Sequence, residues 1–233
     1  MVTTNSEQYI AKAKEYINLL NKFKEGNKEY DKLSKVLDRL RLDAGYTLAL
    51  HLAVDVTFLG DVSWFYCYEG EKDPYCDSFN NPDEEKLEDF WQCFGTSDQL
   101  NIFNHISIEK SEMGVWQAYL LYIATSLLPA YRHGAYRSND LIFNNEDVKK
   151  YHPFANDHCF PRDRKIELTY PEERLLTEVW LEGDIAKVRC CYFNLWKGVV
   201  NETLALSFEQ DKIKDFEIIK SEVVYKFKWP FKM

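Results

Sequence analysis

The last third of the chain constrains the fold most. From Leu175 to Glu182, Ile185 to Trp196, Val199 to Phe208 and Ile213 to Phe227, apolar and polar residues alternate with the period of two that an extended strand imposes. Gly183-Asp184, Lys197-Gly198 and Asp211-Lys212 separate these segments, and each is short enough to turn one strand back on the one before. The segments therefore predict an antiparallel meander of at least four strands. At its far end Val223, Tyr225, Phe227 and Trp229 share one face, while Glu222, Lys226 and Lys228 take the other. One side of the sheet is expected to be buried and the other wet.

A cover for such a sheet is legible upstream. Between Glu112 and Leu128, Val115, Tyr119, Tyr122 and Ser126 form one row at spacings of three and four. Trp116, Leu120, Ile123 and Leu127 form the next, and only Gln117 and Thr125 dilute the apolar surface. That pattern predicts a central helix buried on most sides. Pro129 disfavours the helical conformation at Leu128, so the helix is expected to end or kink there and a loop to follow.

Thr4 and Glu7 have capping-box spacing, and Ile10, Ala13, Ile17, Leu20 and Phe23 then share a helical face. After Gly26, the row Tyr30, Leu33, Leu37, Leu40 and Ala44 predicts a second helix that stops near Gly45. Residues 48–58 alternate as a strand does, with a helix as the rival reading, and Ser63 to Tyr68 supply a second strand after a turn at Gly60-Asp61. Asn81-Pro82 opens a short acidic helix through Phe94. Leu100, Ile102, Ile106 and Ile108 fit a strand or a helix equally. The fold class is α+β: N-terminal helices and a central buried helix packed on a curved antiparallel sheet. One domain over residues 1–233 is the expectation. The alternative is a seam at 144–171, which holds three of the seven prolines, between a helical and hairpin part (1–143) and the sheet (172–233).

A hydrophobic content of 45% supports a substantial core. Met1 to Ile10 lack the basic start of a signal peptide, and the longest apolar run, Val115 to Leu128, is too short to span a bilayer. A soluble, cytoplasmic protein is expected, with no membrane partner. The six cysteines include no Cys-x-x-Cys pair, which argues for reduced structural thiols rather than a zinc framework. Cys190 and Cys191 are adjacent on a strand, so their side chains point to opposite faces. The net charge of -9 argues against nucleic acid, which needs clustered Lys and Arg. Most of it is local, since ten acidic residues and two lysines between Glu69 and Asp98 give -8.

The one cluster of Arg and His is Arg132, His133 and Arg137, with Asp140 nearby. Two guanidiniums match carboxylate or phosphate oxygens, and His133 oriented by Asp140 has the make-up of an acid–base group. The ordinary reading is that the arginines cap helix carbonyls and pair with acidic groups. His152, Asp157, His158 and Cys159 are metal-ligand types without a recognised spacing, so an ordinary polar loop is expected and no metal or cofactor is assigned. His51 is read as structural. Trp180, Tyr192, Trp196, Phe208, Phe216, Tyr225 and Trp229 are read as sheet core rather than a ligand-stacking pocket. Glu84, Glu85, Glu88 and Asp89 lack an EF-hand order and read as a solvated helix face. Phosphate-binding glycine loops, Gly-x-Ser-x-Gly and His-Glu-x-x-His are missing, which leaves an enzyme neither indicated nor excluded.

Three functions follow. The first is a pocket between the central helix and the C-terminal sheet for a small anionic ligand, anchored by Arg132 and Arg137 with His133. The second is an interaction module that uses the acidic stretch 69–98 against a basic protein partner. The third is an enzyme with His133 as acid or base.

Overall fold

The computed structural model describes residues 4–24, 31–53, 62–71, 101–126, 137–150, 172–194 and 198–225. In chain order these form α1 (Thr4–Lys24), α2 (Asp31–Val36), β1 (Leu40–Leu42), β2 (Tyr46–Ala53), β3 (Val62–Glu69), α3 (Asn101–Asn104) and β4 (Ile106–Ile108). The central helix α4 (Glu112–Ser126) follows, then β5 (Arg137–Ile142), α5 (Asn145–Lys150), a 3-10 turn at Glu172–Arg174, β6 (Glu178–Glu182), β7 (Ile185–Asn194), β8 (Gly198–Glu209) and β9 (Lys212–Tyr225). The class is α+β. β6 to β9 pair antiparallel in sequence order, and β5 joins the same sheet on β7, beyond the stretch that β6 occupies.

The helix α4 is buried along its length from Val115 to Tyr122, as its all-round apolar pattern requires. Its start is fixed twice. The Ser111 hydroxyl accepts a hydrogen bond from the Gly114 N–H at 3.1 Å, an N-cap bond. Gly114 is needed for space, because a Cβ there would lie 2.1 Å from the Glu109 carbonyl oxygen.

The first helix buries a different stripe from the one expected. Tyr9, Ala13, Tyr16, Leu19 and Leu20 are buried, whereas Ile10 and Ile17 are only half-buried. The stripe is rotated because Tyr9 is tied to α4 at two points. Its hydroxyl donates to Glu112 at 2.7 Å, and its carbonyl accepts from Trp116 Nε1 at 3.0 Å.

The second helix is shorter than its row of leucines predicts, ending at Val36 instead of running to Ala44. The cause is Gln117 on α4. Its Oε1 accepts from the Arg39 N–H at 2.8 Å and its Nε2 donates to Asp38 at 2.7 Å. A continuing helix would spend the Arg39 N–H on its own carbonyl four residues back. The chain turns instead, and Leu40 to Leu42 pair with Ile108 to Ile106 as a strand. The ambiguous stretch after residue 100 resolves into both alternatives, a turn of helix and then β4.

The β2–β3 hairpin forms with Tyr46 opposite Glu69 and Ala53 opposite Val62, the strand alternative for this region; residues 54–61, including the turn, lie outside the described residues. So do the acidic helix expected after Asn81 and the whole stretch 151–171. Arg137 to Ile142, expected as loop, form a strand. The first residues of the expected seam form α5, capped reciprocally: Asn144 Oδ1 accepts from the Asp147 N–H at 3.0 Å, and Asp147 accepts from the Phe143 N–H at 3.1 Å.

The sheet is buried on both faces around β7, not on one. Cys190 packs in the main core with Val115, Tyr119, Val188 and Leu204, while Cys191 packs with Ile142, Val148, Leu175, Phe193 and Val199 in a second core. Three register shifts interrupt the pairing of β9 with β8. The last lies where Val223 aligns with Val200 and Tyr225 with Val199, residues of different cores, so strict alternation does not carry through the end of β9. Val223 is 42% exposed, which corrects the buried face expected there.

Gly114→Ala tests the close approach at the head of α4. Alanine gains about 1 kcal/mol in helix propensity, yet its methyl must displace the Glu109 carbonyl, and overpacking of this kind costs about 1–3 kcal/mol. Urea unfolding is expected to give a variant less stable than the wild type, and an equal or higher midpoint would refute the steric reading.

Candidate functional site

Arg132 and His133 lie outside the described residues, as do His152, Asp157, His158, Cys159, Glu84, Glu85, Glu88 and Asp89. Arg137 and Asp140 are placed by their backbone on β5, where Arg137 aligns with Asn194 on β7. His51 stands on β2 opposite Trp64. Of the aromatic residues weighed for a pocket, Tyr192 and Phe208 are in the main core and Phe216 packs against that core.

What the described residues assemble is a cavity of about 290 Å³ between α2, the β1–β2 corner, β4 and α4. Leu37, Leu40, Leu42, Leu48, Ile106 and Leu121 form its apolar wall, and Ser34, Tyr46 and Thr47 also line it. The Tyr46 ring stacks on the His105 imidazole, with centroids 3.8 Å apart and planes within 13°. His105 Nδ1 lies 3.9 Å from Asp43 Oδ2. Lys212 Nζ donates to that same oxygen at 2.5 Å and to the Asn104 carbonyl at 2.7 Å.

Local backbone bonds hold this group in place. Asp43 opens the turn between β1 and β2, where its carbonyl accepts from the Tyr46 N–H at 3.1 Å and Gly45 takes a φ of 87°. The Asp43 N–H donates to the His105 carbonyl at 2.9 Å, which fixes the two residues side by side. Lys212 arrives from the start of β9 because the Asp211 carbonyl accepts from the Ile108 N–H at 2.7 Å. A second, polar cavity of about 340 Å³ is lined by Asn104, Lys212, Glu209, Gln210 and Lys214. Lys212 thus ties Asp43 to the wall of this second cavity.

No local motif announces this cluster. Asp43, His105 and Lys212 come from three distant parts of the chain, and the sequence signal closest to it is the Asp-x-Gly turn at 43–45. A second missed group is Glu202, a buried carboxylate that accepts from the Tyr192 hydroxyl at 3.1 Å.

Two described thiols, Cys67 near this cluster and Cys191 in the second core, are not poised to react. Burial, with a smaller contribution from the Asp43 charge, pushes the Cys67 thiol up to about 12. Burial likewise pushes Cys191 up to about 12, opposed by its hydrogen bond from Asn201 and the charge of Arg189. No group of three His, Cys, Asp or Glu side chains able to hold a metal occurs among the described residues. Among the same residues no helix is long and apolar enough to cross a membrane.

The cluster can offer a ligand a ring face, an imidazole and a cation held by a carboxylate, next to an apolar space. No protein-family model matches the chain, and no curated protein or solved structure matches it either.

A double-mutant cycle on Asp43→Ala and Lys212→Met measures how strongly the two sides of the cluster are joined. Both side chains are about one-third exposed, so solvent screening limits the coupling to roughly 0.5–1 kcal/mol. Urea unfolding of the four proteins is expected to give that coupling; strictly additive losses would mean that Asp43 and Lys212 are neighbours without being partners.

Proposed function

We propose that the protein binds a small molecule whose apolar body fills the 290 Å³ cavity and whose hydrogen-bonding end meets Tyr46, His105, Asp43 and Lys212. One observation carries the reading: an apolar wall and a convergent polar group share the same turn of chain. Ligand sites have that composition, a mostly apolar lining with a few placed polar groups that set orientation. The volume suits a compact ligand. The reading takes the protein as cytoplasmic, and the charge of -9 supports a partner other than nucleic acid.

The test uses anilinonaphthalene sulfonate, a fluorescent probe with an apolar body and an anionic end. The wild type is expected to bind one equivalent with enhanced fluorescence. Leu40→Trp places a larger ring in the cavity from a half-buried position. It is expected to weaken binding about tenfold, or 1.4 kcal/mol, with the thermal midpoint within a few degrees of the wild type. Undiminished binding by a folded Leu40→Trp protein would remove the cavity as the site.

A second reading, an anion held by Arg132 and Arg137 with His133, is favoured by the strand under Arg137. Sites built on strands are held more exactly than sites on loops, and β5 pairs with β7 in the large sheet. Thermal unfolding of the wild type and of Arg132→Ala/Arg137→Ala, with and without small carboxylates and phosphates, separates the cases. A ligand of the folded state raises the midpoint by mass action. The expected result is an anion-dependent rise in the wild type that the double variant lacks at a similar starting midpoint. A double variant that melts far lower, with no anion effect in either protein, would make the arginines structural.

A further inference from the structure

The exposed large hydrophobic side chains among the described residues are Ile185, Ile218, Ile219 and Val223, and three of these four stand on β9. Their exposures there are 44%, 46% and 42%. The first half of β9 is covered. Ile213 is buried, and Phe216 stacks on Tyr122 at 4.2 Å and meets Phe103 edge-on at 4.9 Å. From Glu217 to Val223 every residue is exposed. β9 is also the end strand of its sheet, with β8 its one partner among the described residues. An end strand presents unpaired N–H and C=O groups to another strand, and apolar side chains beside them favour the addition.

We infer that the second half of β9 is a self-association edge, on which a second copy of this chain pairs antiparallel about a two-fold axis at Ser221. The residues around that axis complement themselves. With Ser221 opposite Ser221, Lys220 of each copy faces Glu222 of the other, and Val223 comes beside Ile219, the bulged residue at which the regular ladder ends. Direct cross-strand pairs of opposite charge and of apolar side chains each stabilise an antiparallel ladder. Within one copy Lys220 Nζ already lies 3.5 Å from Glu222 Oε2, so the two charged ends occupy the same side of the strand. Centring the pair on Lys220 or on Glu222 would set like charges opposite each other, which selects the Ser221 register.

The strand's irregularities set the extent of the pairing. The ladder with β8 runs unbroken from Lys220 opposite Thr203 to Val223 opposite Val200, and a register shift lies on each side of that run. Bulges bend and twist a strand away from further pairing. The edge therefore closes as an isologous dimer instead of growing into a fibre, and so short a ladder makes the dimer reversible.

Sedimentation equilibrium of the full chain over a wide concentration range is the first measurement, with the expected result a monomer–dimer equilibrium. Lys220→Glu and Glu222→Lys alone each set like charges opposite, and each is expected to weaken dimerisation at least tenfold. The double exchange Lys220→Glu/Glu222→Lys restores opposite charges across the axis and is expected to recover dimerisation to within about threefold of the wild type. Thermal melts near the wild-type midpoint show that these exposed changes leave the fold intact. Opposed Cα atoms in an antiparallel pair lie about 4.5–5.5 Å apart, within disulfide reach. Ser221→Cys is expected to cross-link to a covalent dimer under mild oxidation, and Lys214→Cys to do so no more than the wild type. A monomer at every concentration, single exchanges without effect, a double exchange no better than the singles, or equal cross-linking of both cysteine variants would each overturn the inference.

Discussion

The amide of Gln117 decides where α2 ends and so where β1 can begin. It is fully buried on an apolar helix, where an unpaired amide costs about 1–3 kcal/mol, so both of its ends must find partners. They find them in the Asp38 carboxylate and the Arg39 N–H, and that choice stops α2. The hydrogen bond from Gln117 is also the main reason the Asp38 carboxyl is held below the usual carboxylate range, ahead of Lys12 and Arg39. The lowering stabilises the fold above the ordinary carboxylate range and is lost as pH falls through the lowered value. Arg39 is then free to pair with Glu109 at 2.8 Å, beside the close approach that Gly114 permits. Because the helix stops, β1 can form on β4, and because β1 forms, the wall of the cavity exists.

The C-terminal sheet depends on a different constraint. A strand that carries cysteines at both 190 and 191 buries them only if both of its faces are covered. The main core, reached by Tyr119 of α4, covers one; α5 and Leu175 contribute to the other. The β8–β9 ladder crosses between these cores with its register shifted three times. Each shift moves one residue out of the alternation. That is how a long strand can begin buried at Ile213 and end with Ile218, Ile219 and Val223 in solvent.

Much of the architecture was legible because its signals are local. Period-two alternation with short turns marks the meander to within three residues at every described strand end, and α4 declares itself through apolar residues on every side. The features that escaped depend on contacts across long stretches of chain. Leu33, Leu37 and Leu40 keep helical spacing whether or not the helix continues, and only a glutamine nearly eighty residues away decides that it does not. Tyr9 and Tyr16 look like poorer core residues than Ile10 and Ile17 until Trp116 and Glu112 are known to lie above Tyr9. Bulges leave no mark in a hydrophobic pattern beyond blurring it. The Asn144–Asp147 cap could have been read, since it is a local pair, but an aspartate in place of the usual glutamate hid it.

The same reasoning separates the two candidate sites. Arg132, His133 and Arg137 attract notice because they are close in sequence, which is the kind of proximity a sequence can display. Asp43, His105 and Lys212 are brought together by folding. The turn at Asp43 bonds to the backbone of His105, and the turn at Asp211 bonds to the backbone of Ile108, so β4 fixes the positions of both. Backbone bonds of this sort do not depend on which side chains stand at the turn tips. The positions would be held with other residues there, so the scaffold alone does not require a carboxylate, an imidazole and an ammonium at that point. Lys212 also gives up hydration and side-chain freedom to reach Asp43 and the Asn104 carbonyl, a surface arrangement that returns little net stability. A polar group that the fold positions precisely but needs only weakly for stability is what the binding role we propose would require.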